Sequence, residues 1–176
     1  MRKARLSALI GGAVAAAAIA FPPVAPAGAA DAAKIAVFEF ELNDVSGRSG
    51  FVAPDALDRD NLKKMTEDAR RLLAASGRYS VVDTAGAGDV PHWGLRSCQG
   101  CEAGMARKVG ADLSLVGVVT RTAGIVYTVQ IVIRDASTGA LVSSHYSGGQ
   151  LGADRSWSRS VKWLMEHEIL AAPAAK

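Results

Sequence analysis

Apolar residues alternate with polar ones in some segments of the chain and follow helical spacing in others. The segment 34–42, KIAVFEFEL, turns to strict alternation at its end, which predicts a strand. One face of that strand is expected to carry Ala36, Phe38, Phe40 and Leu42. The other face ends in Glu39 and Glu41, which are expected to be solvated.

The same two patterns predict the remaining elements. Helices are expected at 55–76, at 97–110 with Ser97 as the N-cap, and at 154–170. Strands are expected at 78–83, 111–121, 125–134 and 140–147, the last two joined by a hairpin turn, DASTG, at 135–139. The last helix is expected to bury Trp157, Val161, Leu164 and Met165.

The order of these elements, β-α-β-α-β-β-β-α, predicts the fold class. Strands that alternate with helices favour parallel pairing, and the later run of consecutive strands favours an antiparallel meander. We therefore expect an α/β (α+β) fold with a single mixed sheet of about five strands and helices packed against it.

Residues 1–30 have the three parts of a secretory signal peptide. A basic start, MRKAR, precedes an apolar run at 6–20 and a small-residue site around Ala29. We expect cleavage after Ala29 or Ala30, a single domain over 31–170 and a flexible tail over 171–176. The apolar run is shorter than the ~20 residues of a spanning helix. The protein is therefore predicted to be exported, periplasmic in a bacterium, and not stably inserted in the membrane after cleavage.

Charge narrows the choice of partners. The chain has 20 Lys and Arg against 17 Asp and Glu, and three of the basic residues but no acidic one lie in the leader. The mature chain therefore has a formal net charge of zero. With no net positive charge, the mature protein has no overall electrostatic field that would attract a polyanion, so a nucleic-acid partner is not expected.

The two cysteines, Cys98 and Cys101 in RSCQGCEAG, are the main candidates for chemistry. Haem attachment requires C-x-x-C-H, and Glu102 stands at the His position. A thioredoxin-like redox pair and a metal site that recruits His92 both remain open, although a preceding strand and a second ligand pair are lacking. A local disulfide is favoured because exported cysteines usually oxidise.

Three other residues are candidates for a binding surface. His92 and Trp93 lie in a Gly- and Pro-containing loop at 84–95, and Trp163 lies at the edge of the last helix's apolar stripe. We expect a binding patch where the 84–95 loop meets the loop at 43–54.

Acidic residues also cluster near the start of the first helix. Asp44, Asp55, Asp58 and Asp60 could offer oxygen ligands to a hard cation, but the EF-hand spacing is absent and acidic residues are common at helix N-termini. Neither a metal nor a cofactor is predicted.

Several segments together resemble a known family. They are KIAVFEFEL, LLAASGRYSVVD, CQGCEAGMARKVGADLSLVGVV, IVIRDASTG and SWSRSVKWL. The chain resembles small secreted proteobacterial proteins catalogued as a domain of unknown function, and its plan is similar to the TolB N-terminal and CsgG-like envelope domains. The resemblance implies binding to other envelope components without catalysis, in company with periplasmic quinoprotein alcohol dehydrogenase systems.

The sequence therefore favours an exported, non-catalytic accessory protein that binds another periplasmic or envelope protein. The alternative is a small thiol-redox or metal-handling protein in which Cys98 and Cys101 are functional. The state of the two sulfur atoms distinguishes these hypotheses.

Overall fold

The computed structural model describes residues 31–46, 54–123, 126–151 and 155–171. The predicted leader, most of the loop at 43–54 and nearly all of the predicted tail lie outside these residues. The strands are β1 (Ala33–Val37), β2 (Glu41–Asp44), β3 (Tyr79–Val82), β4 (Leu113–Ala123), β5 (Val126–Asp135), β6 (Leu141–Tyr146) and β7 (Gln150–Leu151). The helices are α1 (Ala56–Ala75), α2 (Cys101–Lys108) and α3 (Arg155–Leu164), which continues as a π-helical turn over Met165–Ile169.

The strands form one mixed sheet in the order β3-β1-β4-β5-β6. Strand β1 is parallel to β3 and β4, and β4, β5 and β6 form an antiparallel meander. Strand β2 continues β1 along β4, and the unpredicted β7 pairs with β5 beyond β6. The predicted α/β class and mixed sheet are confirmed. No helix within the described ranges is long and apolar enough to span a membrane.

The predicted first strand is interrupted, and its side chains change faces at the interruption. Val37 pairs with Leu115 of β4, and Glu41 pairs with Val118 of β4. Glu41 therefore follows Val37 by four residues, whereas Val118 follows Leu115 by only three. The extra residue is a bulge, which reverses the faces of the residues that follow. Phe40 therefore lies on the face of Val37 and not, as predicted, on that of Phe38.

Helices cover the two faces of the sheet unequally. On one face α1 and α3 pack over the larger apolar cluster, which contains Met65, Leu73, Leu115, Ile131 and the four α3 residues predicted to be buried. On the other face the eight-residue α2 covers a smaller cluster that includes Phe38, Met105 and Val116. The short α2 leaves part of this second face open.

Local chemistry fixes the helix ends. The Asp55 side chain accepts a hydrogen bond from the Asp58 N–H, and the Asp58 side chain accepts one from the Asp55 N–H, which forms a capping box at the start of α1. Helix α2 begins at Cys101 and not at Ser97, which ends a 3-10 turn over Leu95–Ser97. The Ser97 cap is therefore wrong. Gln99 and Gly100 have φ of 51° and 121°. Since an α-helix requires a negative φ, no helix can run through these two residues, and α2 cannot begin before Cys101.

Candidate functional site

The uncovered part of the second sheet face forms a groove of about 300 Å³. Its floor, here called the open sheet face, consists of side chains from two antiparallel strands: Val116, Val118 and Thr120 of β4, and Gln130, Val132 and Arg134 of β5. One wall is the disulfide segment, defined as residues 95–101, and Asn43 and Glu102 complete the lining. Valine side chains with amides and hydroxyls around them suit a partner that buries apolar surface and satisfies a few polar groups.

The predicted local disulfide is present in the disulfide segment. Cys98 and Cys101 are bonded, their Cα atoms lie 5.5 Å apart, and both half-buried residues pack against the smaller apolar cluster. Ser97, Gln99 and Gly100 face the groove directly. The bond therefore closes the turn that carries Gln99 and Gly100 and joins it to the first residue of α2.

Glu41 holds the beginning of the disulfide segment against the sheet. Its carboxylate accepts hydrogen bonds from the Leu95 N–H (2.6 Å) and the Arg96 N–H (3.0 Å), and Nη1 of Arg96 lies 3.2 Å away. A Cβ on Gly94, whose φ is 84°, would lie 2.6 Å from the same carboxylate, so the close approach requires glycine. The alternation of the strand predicts a solvated Glu41, so the sequence pattern does not indicate this role.

Glu102 forms the second polar contact of the groove wall. The residue is only 4 % exposed, and its Oε1 lies 3.1 Å from Nε of Arg134. That N–H is not directed at the oxygen, so the contact is an ion pair without an aligned hydrogen bond. The other carboxylate oxygen lies 3.6 Å from Sγ of Cys98. Glu102 thus connects α2, the disulfide and β5.

The structure separates the other predicted binding residues. His92 and Trp93 are exposed and contact each other edge to face, with ring centroids 4.4 Å apart, just before the disulfide segment. Neither lines the groove. Trp163 lies on α3, which packs on the opposite face of the sheet, and it stacks on His167 at 5.3 Å. Asn43, which belongs to β2, and Leu95 line the same groove, but 47–53 lie outside the described residues, so a patch between the two loops stays a prediction.

Two of the four acidic residues near the start of α1 pair with an arginine. Arg121 forms ion pairs with Asp44 and Asp58, and its guanidinium lies 5.4 Å from the Trp157 ring centroid. Burial opposes the charge of Arg121, but the Asp58 hydrogen bond and both carboxylates raise its pKa above the ordinary value. A hydrogen bond from Ser46, helped by Arg121, lowers the pKa of Asp44. The Arg121 guanidinium thus supplies the positive charge beside Asp44 and Asp58, two of the four carboxylates that could have offered ligands to a hard cation.

Comparison with known proteins identifies the family. The chain belongs to the family DUF3280, described as a protein of unknown function (DUF2380), whose model matches residues 33–169. This confirms the resemblance to an uncharacterised family. No curated protein sequence matches the chain.

Three solved structures illustrate what the fold is similar to. The LpoB C-terminal domain from Salmonella enterica is 19% identical, with a TM-score of 0.49 over 72% of this chain and 87% of that one. Lipoprotein GNA1162 from Neisseria meningitidis is 15% identical, and the match has a TM-score of 0.48 over 70% of this chain and 83% of that one. TolB from Acinetobacter baumannii is 13% identical, and the match has a TM-score of 0.41 over 77% of this chain and 28% of that one. Since all three TM-scores lie below 0.5, nothing about the groove follows from these proteins.

Proposed function

We propose that this chain is an exported, non-catalytic accessory protein of the cell envelope that binds another envelope protein through the open sheet face. The observation that carries the proposal is the groove beside α2, where the floor is half apolar and the wall is held by Glu41 and the disulfide. A preformed surface of this kind binds a partner with little loss of conformational entropy.

The charges around the groove support binding rather than catalysis. Glu102 is paired with Arg134 and Glu41 with Arg96, so these carboxylates are committed to structural contacts. A general base must instead be free to accept a proton from a bound substrate. The paired charges leave the groove nearly neutral, which favours an uncharged, partly apolar partner segment.

The proposed location and class of partner rest on the sequence. The leader at 1–30 supports export to the periplasm, where the partner would be another periplasmic or envelope protein, and the family resemblance suggests a role in support of a periplasmic dehydrogenase system. The nearby exposed pair, His92 and Trp93, would enlarge the contact at the rim of the groove.

Photo-crosslinking in the intact periplasm tests the proposal. A photoreactive residue replaces Val132 on the groove floor, and the matched control replaces Arg71, an exposed residue of α1 on the opposite side of the sheet. We expect one envelope protein to crosslink from position 132 and not from 71. The crosslinked protein is then purified, and its binding is measured against wild type and V132K.

The binding measurement decides the outcome. A buried lysine facing an apolar contact must be desolvated, so V132K should weaken binding by roughly a hundredfold. Equal crosslinking from both positions, or binding unchanged in V132K, would contradict a partner site on the open sheet face.

A second candidate function rests on Glu102 beside the cysteines. If the disulfide were reduced, Cys98, Cys101 and Glu102 would offer ligand atoms within 4.8 Å of one another. Native mass spectrometry of protein purified from the periplasm without reductant distinguishes the two functions. An oxidised chain with no added mass supports the accessory role, whereas bound metal or two free thiols supports redox or metal handling.

A further inference from the structure

Another cavity, of about 310 Å³ and here called the α3 pocket, lies between α3 and the end of the sheet. Tyr127 of β5 and Gln150 of β7, which pair with each other, form its strand side. The other lining residues are polar or aromatic: Ser147, Ser156, Arg159, Ser160 and Trp163. Since Tyr127 and the apolar side of α3 belong to the larger cluster, the α3 pocket is separate from the groove on the other face of the sheet.

Two buried hydroxyls of the α3 pocket have one hydrogen more than they have acceptors. Tyr127 and Ser160 are 2% and 7% exposed, and their hydroxyl oxygens lie 3.3 Å apart. Either hydroxyl can donate to the other, but this contact uses only one of the two hydrogens. The second O–H has no acceptor within the described residues. Because a buried donor without a partner is costly, this hydroxyl is placed to bond an oxygen atom of a molecule in the pocket.

The lining of the α3 pocket contains one positive charge and no negative one. Arg159 is exposed and forms no ion pair with any residue that the structure describes. The groove differs, because Arg96 and Arg134 are both paired there with carboxylates. An unpaired guanidinium can form a bidentate contact with the carboxylate of a ligand.

Trp163 supplies an apolar surface beside these polar groups. The residue lines the pocket and is 45% exposed. His167, which is not part of the lining, stacks on the indole with an angle of 12° between the ring planes. The stacking fixes the orientation of the indole and occupies only one of its two faces.

We propose that the α3 pocket binds a sugar acid, with Trp163 against the C–H face of the pyranose ring and Arg159 on its carboxylate. A pyranose has an apolar C–H face and a rim of hydroxyls that both donate and accept, as do the Tyr127 and Ser160 hydroxyls. The Gln150 amide is held by its bond from Nε2 to the Ser147 carbonyl, at 3.0 Å, and its oxygen remains an acceptor. A fatty acid or an apolar peptide would bury these polar groups without bonding them.

The size of the α3 pocket restricts the ligand to a mono- or disaccharide unit. Its volume is at the lower end of the ~300–1,000 Å³ typical of small-molecule sites. A free sugar acid and one unit of an acidic polysaccharide present the same chemistry to it. The site does not depend on the partner proposed at the groove.

Binding of the mature protein to a panel of saccharides tests the proposal. The panel contains galacturonate, glucuronate and mannuronate as monomers and as tetramers, each with its carboxyl-reduced neutral form, and NMR titration of the indole N–H signals gives each Kd. We expect an acid to bind about tenfold more tightly than its reduced form, because only the acid can pair with Arg159. Tighter binding of the tetramer indicates a polysaccharide as the source, whereas equal binding of the monomer indicates a free sugar acid.

Two variants with matched controls assign the binding to the α3 pocket. Arg159→Gln should raise the Kd of the acid to that of its reduced form. Lys162→Gln, which removes an exposed charge of α3 outside the pocket, should bind like wild type. Trp163→Ala should weaken the binding of both forms by roughly tenfold or more, whereas Trp93→Ala, which removes an exposed indole outside the pocket, should not.

Tyr127→Phe provides a further test if Trp163→Ala does not fold, because the ring stays in place and only the hydroxyl is lost. It should raise the Kd of both forms about fivefold. Absence of binding by every saccharide of the panel, no preference for the acid, or an acid affinity that Arg159→Gln leaves unchanged would overturn the proposal. V132K should bind the acid like wild type, so failure at this site is distinguishable from failure at the groove.

Discussion

At the scale of single residues, Glu41 positions one wall of the proposed binding surface. Its carboxylate joins β2 to the start of the disulfide segment through two backbone N–H groups and Arg96. The contact spans 54 positions of the chain, so no local pattern indicates it. A strand glutamate that follows alternation has the sequence pattern of a solvated residue, and the distant glycine that allows its approach gives no separate indication.

Replacing Glu41 with alanine should destabilise the protein by about 1.5–3 kcal/mol, because the part-buried Leu95 N–H and the Arg96 N–H both lose a charged acceptor. Urea denaturation of the mature protein measures the change. Glu39→Ala, at an exposed neighbouring position, should stay within about 0.5 kcal/mol of wild type. A Glu41→Ala variant as stable as Glu39→Ala would show that the carboxylate does not hold the segment.

Asp135 gives a pH-dependent prediction. Its Oδ1 accepts hydrogen bonds from the backbone and hydroxyl groups of Ser137 and Thr138, and those from the Ser137 hydroxyl and the Thr138 N–H are the main reason that its pKa falls from 3.8 to about 2. A lowered folded-state pKa adds stability that is complete above pH 3.8 and is lost as the pH falls toward 2.

The urea midpoint of wild type should therefore drop through this acid range more steeply than that of Asp135→Asn. At neutral pH the variant should be the less stable of the two. Asp89→Asn, at an exposed loop position, is the control and should follow wild type. Parallel profiles for wild type and Asp135→Asn would contradict the role assigned to the turn.

At the scale of elements, the bulge between β1 and β2 is the feature that the sequence pattern could not show. The sequence KIAVFEFEL shows the same alternation whether or not the strand contains a bulge. The alternation therefore assigns the residues after the bulge, such as Phe40, to the wrong face of the sheet. The bulge depends on a distant partner: the Phe40 N–H leaves the sheet and donates to Oγ1 of Thr66, at 2.9 Å. By contrast, the helical spacing of apolar residues correctly predicts α1 and the buried side of α3, because this spacing is repeated over several turns.

Gly117 completes the bulge by making room for the Phe40 ring. A Cβ at this position would lie 2.4 Å from two ring carbons, so Gly117→Ala should cost about 1–3 kcal/mol through overpacking. Gly104 in α2 is the matched control, because its Cβ would meet nothing within 4 Å. Gly104→Ala should stabilise the protein by about 0.5–1 kcal/mol. Equal effects of the two changes in thermal unfolding would refute the packing argument.

The disulfide segment is also an element whose effect can be measured. Closing a loop of so few residues stabilises a protein by about 2 kcal/mol in the chain-entropy model. The Cys98→Ser, Cys101→Ser variant should lose about that amount while partner binding survives. Loss of binding with stability unchanged would favour the thiol function of the pair.

At the scale of the whole molecule, the sequence supplied the order of elements and the single mixed sheet, but not which surfaces lie together. Trp93 and Trp163 were expected to serve binding, yet the elements that carry them lie on opposite sides of the sheet. Which face a helix covers depends on crossover connections between strands, and a single sequence does not encode this in any short pattern. The groove was missed for the same reason.

Export can be checked on the intact protein. We expect the mass of the periplasmic form to correspond to a chain that starts at Ala30 or Asp31 and lacks two hydrogens, since leader removal and oxidation occur in the same compartment. The reduced and alkylated sample is the control for the sulfur state. A full-length mass in the membrane fraction would refute the cleaved leader.

The disulfide joins residues only three positions apart, and the chain has no other cysteine. Within one molecule its oxidation has a single outcome, so a wrongly paired form cannot accumulate and no isomerase is needed to correct it. On the proposed route of export, the bond can close as soon as both thiols reach the oxidising compartment, before α3 and the meander have been delivered. Maturation of this protein therefore depends on an oxidant but places no demand on disulfide shuffling.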